Sequence, residues 1–309
     1  MLTLRAGGPG GGAPDLFGRG YSDAPTGVDY DARLYVAQML LVLASSPSRA
    51  PWCAPDGFRL VGYSLGGGLC VAFARHLPHL VRSLGLVAPC GLIRRGAHVG
   101  WRSRLLYDSF VARRLLPGPL VRYLVRRRIR PAVPPPPPTP SKAEPAEAEI
   151  VDGDASGGGA FDAAPVSLRR GPGSATVSAV VRWQVDRHAG FVHAFLSTIR
   201  HAPIYAPQGD WAALSSLLAA RRRRRREPTE PGPGTGPEAA GLGLRGGRVH
   251  VVLGEDDPVV VRGETVDDAR AALGPDGVAF TVLPGGGHEI PMARSAEVAD
   301  ALVAFWSDA

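Results

Sequence analysis

Residues 58–68, FRLVGYSLGGG, carry a short apolar segment into a glycine-flanked serine and on into a stretch of helical spacing. The run at 58–61 suits a strand buried on both faces, and 66–76 places Leu69, Ala72 and Phe73 on one side of a helix. The predicted unit is therefore strand, sharp turn, helix, with Ser64 at the corner. The bare pattern Gly-x-Ser-x-Gly is weak by itself, because a chain this rich in glycine makes it by chance roughly 0.3 times. Its surroundings have to decide.

Those surroundings alternate in type. Segments 84–87, 248–253 and 278–283 are further strand candidates, with helical patterns at 265–273 and 295–306, where Val298, Leu302, Phe305 and Trp306 recur at helical spacing. Apolar strands alternating with helices predict an α/β fold, a parallel sheet covered on both faces. Between the strands at 84–87 and 248–253, 179–205 is helical in pattern and looks like a cap. The chain thus divides into a first core part at 1–90, a cap region at 91–247 and a second core part at 248–309. No internal repeat is visible.

Composition marks what should stay outside the core. The chain has 30 Pro and 40 Gly in 309 residues, and two segments hold a disproportionate share. Residues 131–174 pass through PPPPPTP and GDASGGG, and 221–247 join six arginines to EPTEPGPGTGPEAAG. Proline fixes φ and removes a donor, so both are expected to be unstructured loops. The net charge of +7 comes largely from 122–130 and 221–226. No aromatic side chain interrupts the arginine run to stack on a base, so it reads as a solvated charge and not as a specific nucleic-acid site.

Three cysteines, Cys53, Cys70 and Cys90, are odd in number and lack paired spacing, which argues against a disulfide framework or a zinc site. Cys70 and Cys90 read as small buried apolar residues in a reducing compartment. The start, MLTLRAGGPGGGAPD, lacks the apolar stretch of a signal peptide, and no run approaches the ~20 residues of a membrane helix. The expected location is the cytoplasm.

The corner at Ser64 has a mechanical logic. A strand-to-helix turn this tight strains the serine backbone, and Gly62 and Gly66 keep Cβ atoms out of the crowded approach. The helix N-terminus behind it favours developing negative charge, with the Leu65 N–H placed to donate into an oxyanion hole. A serine hydroxyl is a weak nucleophile until a base takes its proton. After strand 248–253 come Glu255, Asp256 and Asp257, and after 278–283 come three glycines and His288. Glu289 reads as a charge on the approach to a helix, His250 as a packed or edge residue within its strand, and His188, His193 and His201 as cap residues that are either exposed or line a substrate cavity.

LVGYSLGGG, GEDDPVV and GGGHEIP each resemble the corresponding motif of the α/β-hydrolase fold family. DLFGRGYSDAP at 15–25 is similar to the segment that follows the strand before the nucleophile strand there. The resemblance covers about 15–93 and 248–306, and more weakly 186–203. It implies Ser64 as nucleophile, His288 as general base and Asp257 as the acid that orients it, since relatives place the acid three residues after the glycine that is Gly254 here. It further implies an α/β-hydrolase fold with a mostly parallel sheet and a helical cap, hydrolysis of a lipid-like or small carboxylic ester through an acyl-enzyme, and no metal or cofactor. A serine at the corner argues against dehalogenase and epoxide hydrolase relatives, which carry an acid there. Phe191, Phe195, Ile204 and Trp211 are candidates either for an apolar substrate cavity or for the core.

The sequence departs from the family before residue 15, where the family has several strands and a His-Gly loop that supplies the second oxyanion donor. LRAGGPGGGAP is neither strand-like nor a His-Gly motif. One oxyanion donor, missing N-terminal strands and an unpaired sheet edge are the expected consequences, as in a shortened form of a hydrolase. The competing reading is a catalytically impaired homologue acting as an interaction protein through its basic and proline-rich segments.

Overall fold

Local sequence and burial together account for most elements in a computed structural model of the chain, which describes residues 2–5, 11–45, 57–94, 119–120, 123–124, 164, 175–206, 209–226 and 244–307. In chain order the elements are β1 (Leu2–Arg5), β2 (Gly11–Gly12), α1 (Ala32–Ser45), β3 (Phe58–Tyr63), α2 (Leu65–His76), β4 (Val81–Val87), α3 (Val177–Arg187), α4 (Phe191–His201), α5 (Gly209–Arg226), β5 (Val249–Gly254), α6 (Arg262–Leu273), β6 (Val278–Leu283), α7 (Ile290–Ala293) and α8 (Ser295–Ser307). The expected segment 131–174, apart from residue 164, lies outside the described residues, as do 227–243 and Cys53.

One six-stranded sheet runs in the order β2-β1-β3-β4-β5-β6, and β3 through β6 are parallel. The two-residue period of the strands sorts their side chains between two cores. Phe58, Leu60, Leu84, Val251 and Leu253 join Phe73, Trp211, Leu214 and Leu218 on one face. Val87, Val252 and Leu283 join Val298 and Leu302 of α8 on the other. Helix α2 is buried from Gly66 to Ala74, which explains why it carries no charge before its last turn. There Arg75 and His76 sit favourably at the negative end of the helix dipole, and Arg75 pairs with Asp210 at the start of α5.

The segment expected to be helical at 179–205 forms two helices with a break at 188–190. Thr176 caps the first by accepting a 3.2 Å bond from the Ala179 N–H. Both helices pack on the chain segment 15–35: the Gly20 N–H donates to Gln184 and the Tyr30 N–H to Ser197. Of the two readings of the large apolar residues here, the core reading applies. Phe191 and Phe195 pack with Val185 and Leu196, whereas Ile204 and Trp211 belong to the main core under the sheet.

Two expectations need correction, and one helix was missed. The sheet edge beside β3 is paired: β1 runs antiparallel to it, from Leu2 opposite Gly62 to Arg5 opposite Arg59. Four residues, LTLR, suffice because β3 already presents an ordered row of backbone donors and acceptors, a template that sequence periodicity cannot show. Residues 221–226 are not loop. They continue α5, since arginine is a good helix former and Trp211, Leu214 and Leu218 anchor the preceding turns in the core. Helix α1 was not anticipated. Its sequence, ARLYVAQMLLVLAS, is apolar nearly all round and lacks a clear polar face, and Asp31 starts it by accepting the Leu34 N–H at 3.0 Å.

Candidate active site

Ser64 sits between β3 and α2 with φ 52 and ψ −122, a positive φ that costs a non-glycine residue about 1–3 kcal/mol. Backbone bonds hold it there. Its N–H donates to Val87 O at 3.0 Å, and its carbonyl accepts from Gly67 at 2.8 Å and Cys90 at 2.9 Å. Gly62 is required because a Cβ would lie 2.6 Å from Cys70 Sγ and overlap Gly66 O; at Gly67 it would come within 2.5 Å of the Pro89 side chain. Leu65 opens α2, so its N–H is among the donors that no carbonyl within the helix can reach.

Chain ends of β5 and β6 bring the other two groups to this corner. His288 Nε2 lies 3.1 Å from Ser64 Oγ, and Nδ1 lies 2.8 Å from Asp257 Oδ2. Both His288 and Asp257 are buried. The other Asp257 oxygen accepts the N–H groups of Val259 and Val260, each at 2.8 Å, which locks the carboxylate plane. An ionised carboxylate only accepts, so the proton belongs on Nδ1, leaving Nε2 to accept from the serine hydroxyl. This arrangement can draw a proton from Ser64 while its oxygen forms a bond.

Between the two adjacent carboxylates left open by spacing alone, the structure brings Asp257 to His288. The Asp256 side chain faces solvent, and its N–H donates to Gly286 O at 2.9 Å, tying the two loops together. Gly254 permits that approach: a Cβ there would stand 2.6 Å from Gly287 O.

Other residues depart from their sequence readings or were missed by them. Glu289 does precede a helix, α7, but it is buried, one oxygen accepts the Gly287 N–H at 3.1 Å, and Oε2 has no hydrogen-bond partner. Tyr63, which motif reading passes over as the variable position of the turn, donates its hydroxyl to the His288 carbonyl at 2.7 Å. Cys90 is buried with Sγ 3.8 Å from Ser64 Oγ, and burial pushes the Cys70 thiol far above its ordinary range. His250 is packed, as expected, against Phe305. His193 and His201 are exposed, but His188 is half-buried against the Ser22 carbonyl.

No family model matches the chain. Over 80 residues, 26% of this chain, it is 36% identical to a 2-hydroxy-6-oxo-2,4-heptadienoate hydrolase of Pseudomonas putida, matching 26% of that protein. Over 109 residues it is 35% identical to an uncharacterized protein of Mycobacterium tuberculosis, covering 35% of this chain and 29% of that one. The match thus spans between a quarter and a third of the length of these curated relatives. Among solved structures, 2-hydroxy-6-oxo-6-phenylhexa-2,4-dienoate hydrolase from Rhodococcus sp. strain RHA1 aligns with 96% of this chain and 79% of its own, at a TM-score of 0.50 and 17% identity. The chain has the α/β-hydrolase fold. In open α/β sheets, ligands bind in the crevice beyond the carboxyl ends of the parallel strands. Within this α/β-hydrolase fold, Ser64, Asp257 and His288 follow the carboxyl ends of β3, β5 and β6. Among the described residues, no helix is long and apolar enough to cross a membrane.

Proposed function

We propose that the protein is a serine hydrolase acting on small carboxylic esters, with Ser64 as nucleophile, His288 as general base and Asp257 as the acid that orients it. The observation that carries this reading is the hydrogen-bonded chain from Ser64 Oγ through both nitrogens of His288 to Asp257, at 3.1 and 2.8 Å. Ser64 Oγ attacks the ester carbonyl carbon as its proton passes to His288 Nε2. The tetrahedral oxyanion receives the Leu65 N–H. Cleavage of the carbon–oxygen bond then releases the alcohol, which takes the proton back from His288. Water, deprotonated by His288, attacks the acyl-serine, frees the acid and restores Ser64.

Because Phe191, Phe195, Ile204 and Trp211 lie in packed cores, they lend no support to a long acyl chain, and a short one is the substrate of this reading. Helices α3 and α4 serve as the cap, within the cap region at 91–247 that separates the two core parts. A cytoplasmic location goes with it, in keeping with three cysteines that lack paired spacing in the sequence. No specific nucleic-acid partner belongs to this reading. The test is covalent labelling with a fluorophosphonate together with turnover of p-nitrophenyl butyrate. Both are expected in the wild type and absent in Ser64→Ala; a folded wild type that takes no label overturns the proposal.

The 36% identical stretch shared with a 2-hydroxy-6-oxo-2,4-heptadienoate hydrolase favours a second reading, in which the same serine hydrolyses an oxo-dienoate. Turnover of such a dienoate, with p-nitrophenyl butyrate left intact, would select it.

A further inference from the structure

We infer that Tyr63 is a positioning residue that holds the main chain of His288 in register with Ser64. The inference rests on the reading of Ser64 as nucleophile. Tyr63 is the last residue of β3 and immediately precedes Ser64. Its hydroxyl donates to the His288 carbonyl at 2.7 Å, and its ring lies against the imidazole, with centroids 5.1 Å apart and planes inclined by 38°. The end of one strand therefore carries both the nucleophile and the group that fixes the backbone of its base.

The position of His288 needs such a fixture. Gly285, Gly286 and Gly287 precede it, and Gly285 has φ 64, so this stretch has more backbone freedom than any other residue type would give it. The loop is tied upstream, where Arg294 donates to Pro284 O and Asp256 to Gly286 O. The bonds to Ser64 and Asp257 reach only the His288 side chain, whereas Tyr63 grips its main chain.

The phenol is suited to a constant donor role. Burial, and then the neighbouring Asp257, Cys90 and Glu289, push its ionisation well above the ordinary tyrosine range. It stays protonated wherever the imidazole works.

Tyr63→Phe removes one oxygen and keeps the ring. With p-nitrophenyl butyrate, kcat is expected to fall about 10- to 100-fold, the scale of a misplacement near 1 Å. KM should stay within about 3-fold, and fluorophosphonate labelling should slow by a similar factor to kcat. Two unnatural residues keep the test independent of folding: para-aminophenylalanine at 63 restores an N–H donor and should recover most of the rate, while para-methoxyphenylalanine fills the space without a donor and should not. Wild-type kcat in Tyr63→Phe, or equal rates for the two unnatural residues, overturns the inference while leaving Ser64 as nucleophile. So does a lowered melting temperature with unchanged kcat below it. A wild type that neither takes label nor turns over ester overturns both readings together.

Discussion

Ser64 Oγ lies 3.1 Å from His288 Nε2 although 224 positions separate the two residues. The contact exists because β3 and β6 are parallel strands of one sheet, so their carboxyl ends open on the same edge. Asp257 reaches the same edge from β5, the strand beside β6.

The two neighbouring carboxylates should behave very differently. Asp257→Asn replaces an oxygen that accepts from His288 Nδ1, and the resulting wrong tautomer should lower kcat on the order of 10³- to 10⁴-fold. Asp256→Asn, with its side chain in solvent, should stay within about 2-fold of wild type on the scale of surface changes. Steady-state kinetics of the pair on p-nitrophenyl butyrate checks this, and equal losses would contradict the assignment.

Gly62→Ala should destabilise the fold. The new methyl would press on Gly66 O and on Cys70 Sγ inside a fully buried helix–strand contact, and overpacking of this kind costs about 1–3 kcal/mol. Urea unfolding should show a lower midpoint. A matched Gly263→Ala, where a Cβ meets nothing within 4 Å, should not lower it.

Acid should weaken the protein through His250. Burial, and then the charge of Arg248, push this imidazole down from 6.5 to about 4. Between those values the unfolded chain binds a proton that the native state does not, so stability falls as pH drops from 6.5 towards 4. His250→Phe, which keeps a ring against Phe305, should narrow the difference between melting temperatures measured at about pH 7 and about pH 4.5. An unchanged difference would mean that His250 carries no proton linkage.

The arginine run should not act as a uniform charge. Arg222 donates to Gly247 O, anchoring α5 to the chain just before β5, whereas Arg224 is exposed. Arg222→Ala should cost about 1 kcal/mol for the lost bond, and Arg224→Ala less than about 0.5 kcal/mol. Thermal melts of the two variants compare them directly.

What could be read from sequence was local. The apolar runs of β3 to β6, the strained corner at Ser64 and the loops that follow β5 and β6 each announce themselves within about ten residues, because backbone geometry and burial act on neighbouring positions. Family resemblance then singled out Asp257. Its physical warrant lies in the tertiary structure alone: two backbone N–H groups and His288 converge on that carboxylate, while Asp256 points to water. The same holds for β1, which pairs only because β3 offers an edge, and for 221–226, helical because distant core contacts anchor α5. It holds above all for Tyr63 and Glu289. The partner of Tyr63 and the burial of Glu289 are set by how the strand ends meet, a relation between residues far apart in the chain that spacing along the sequence does not encode.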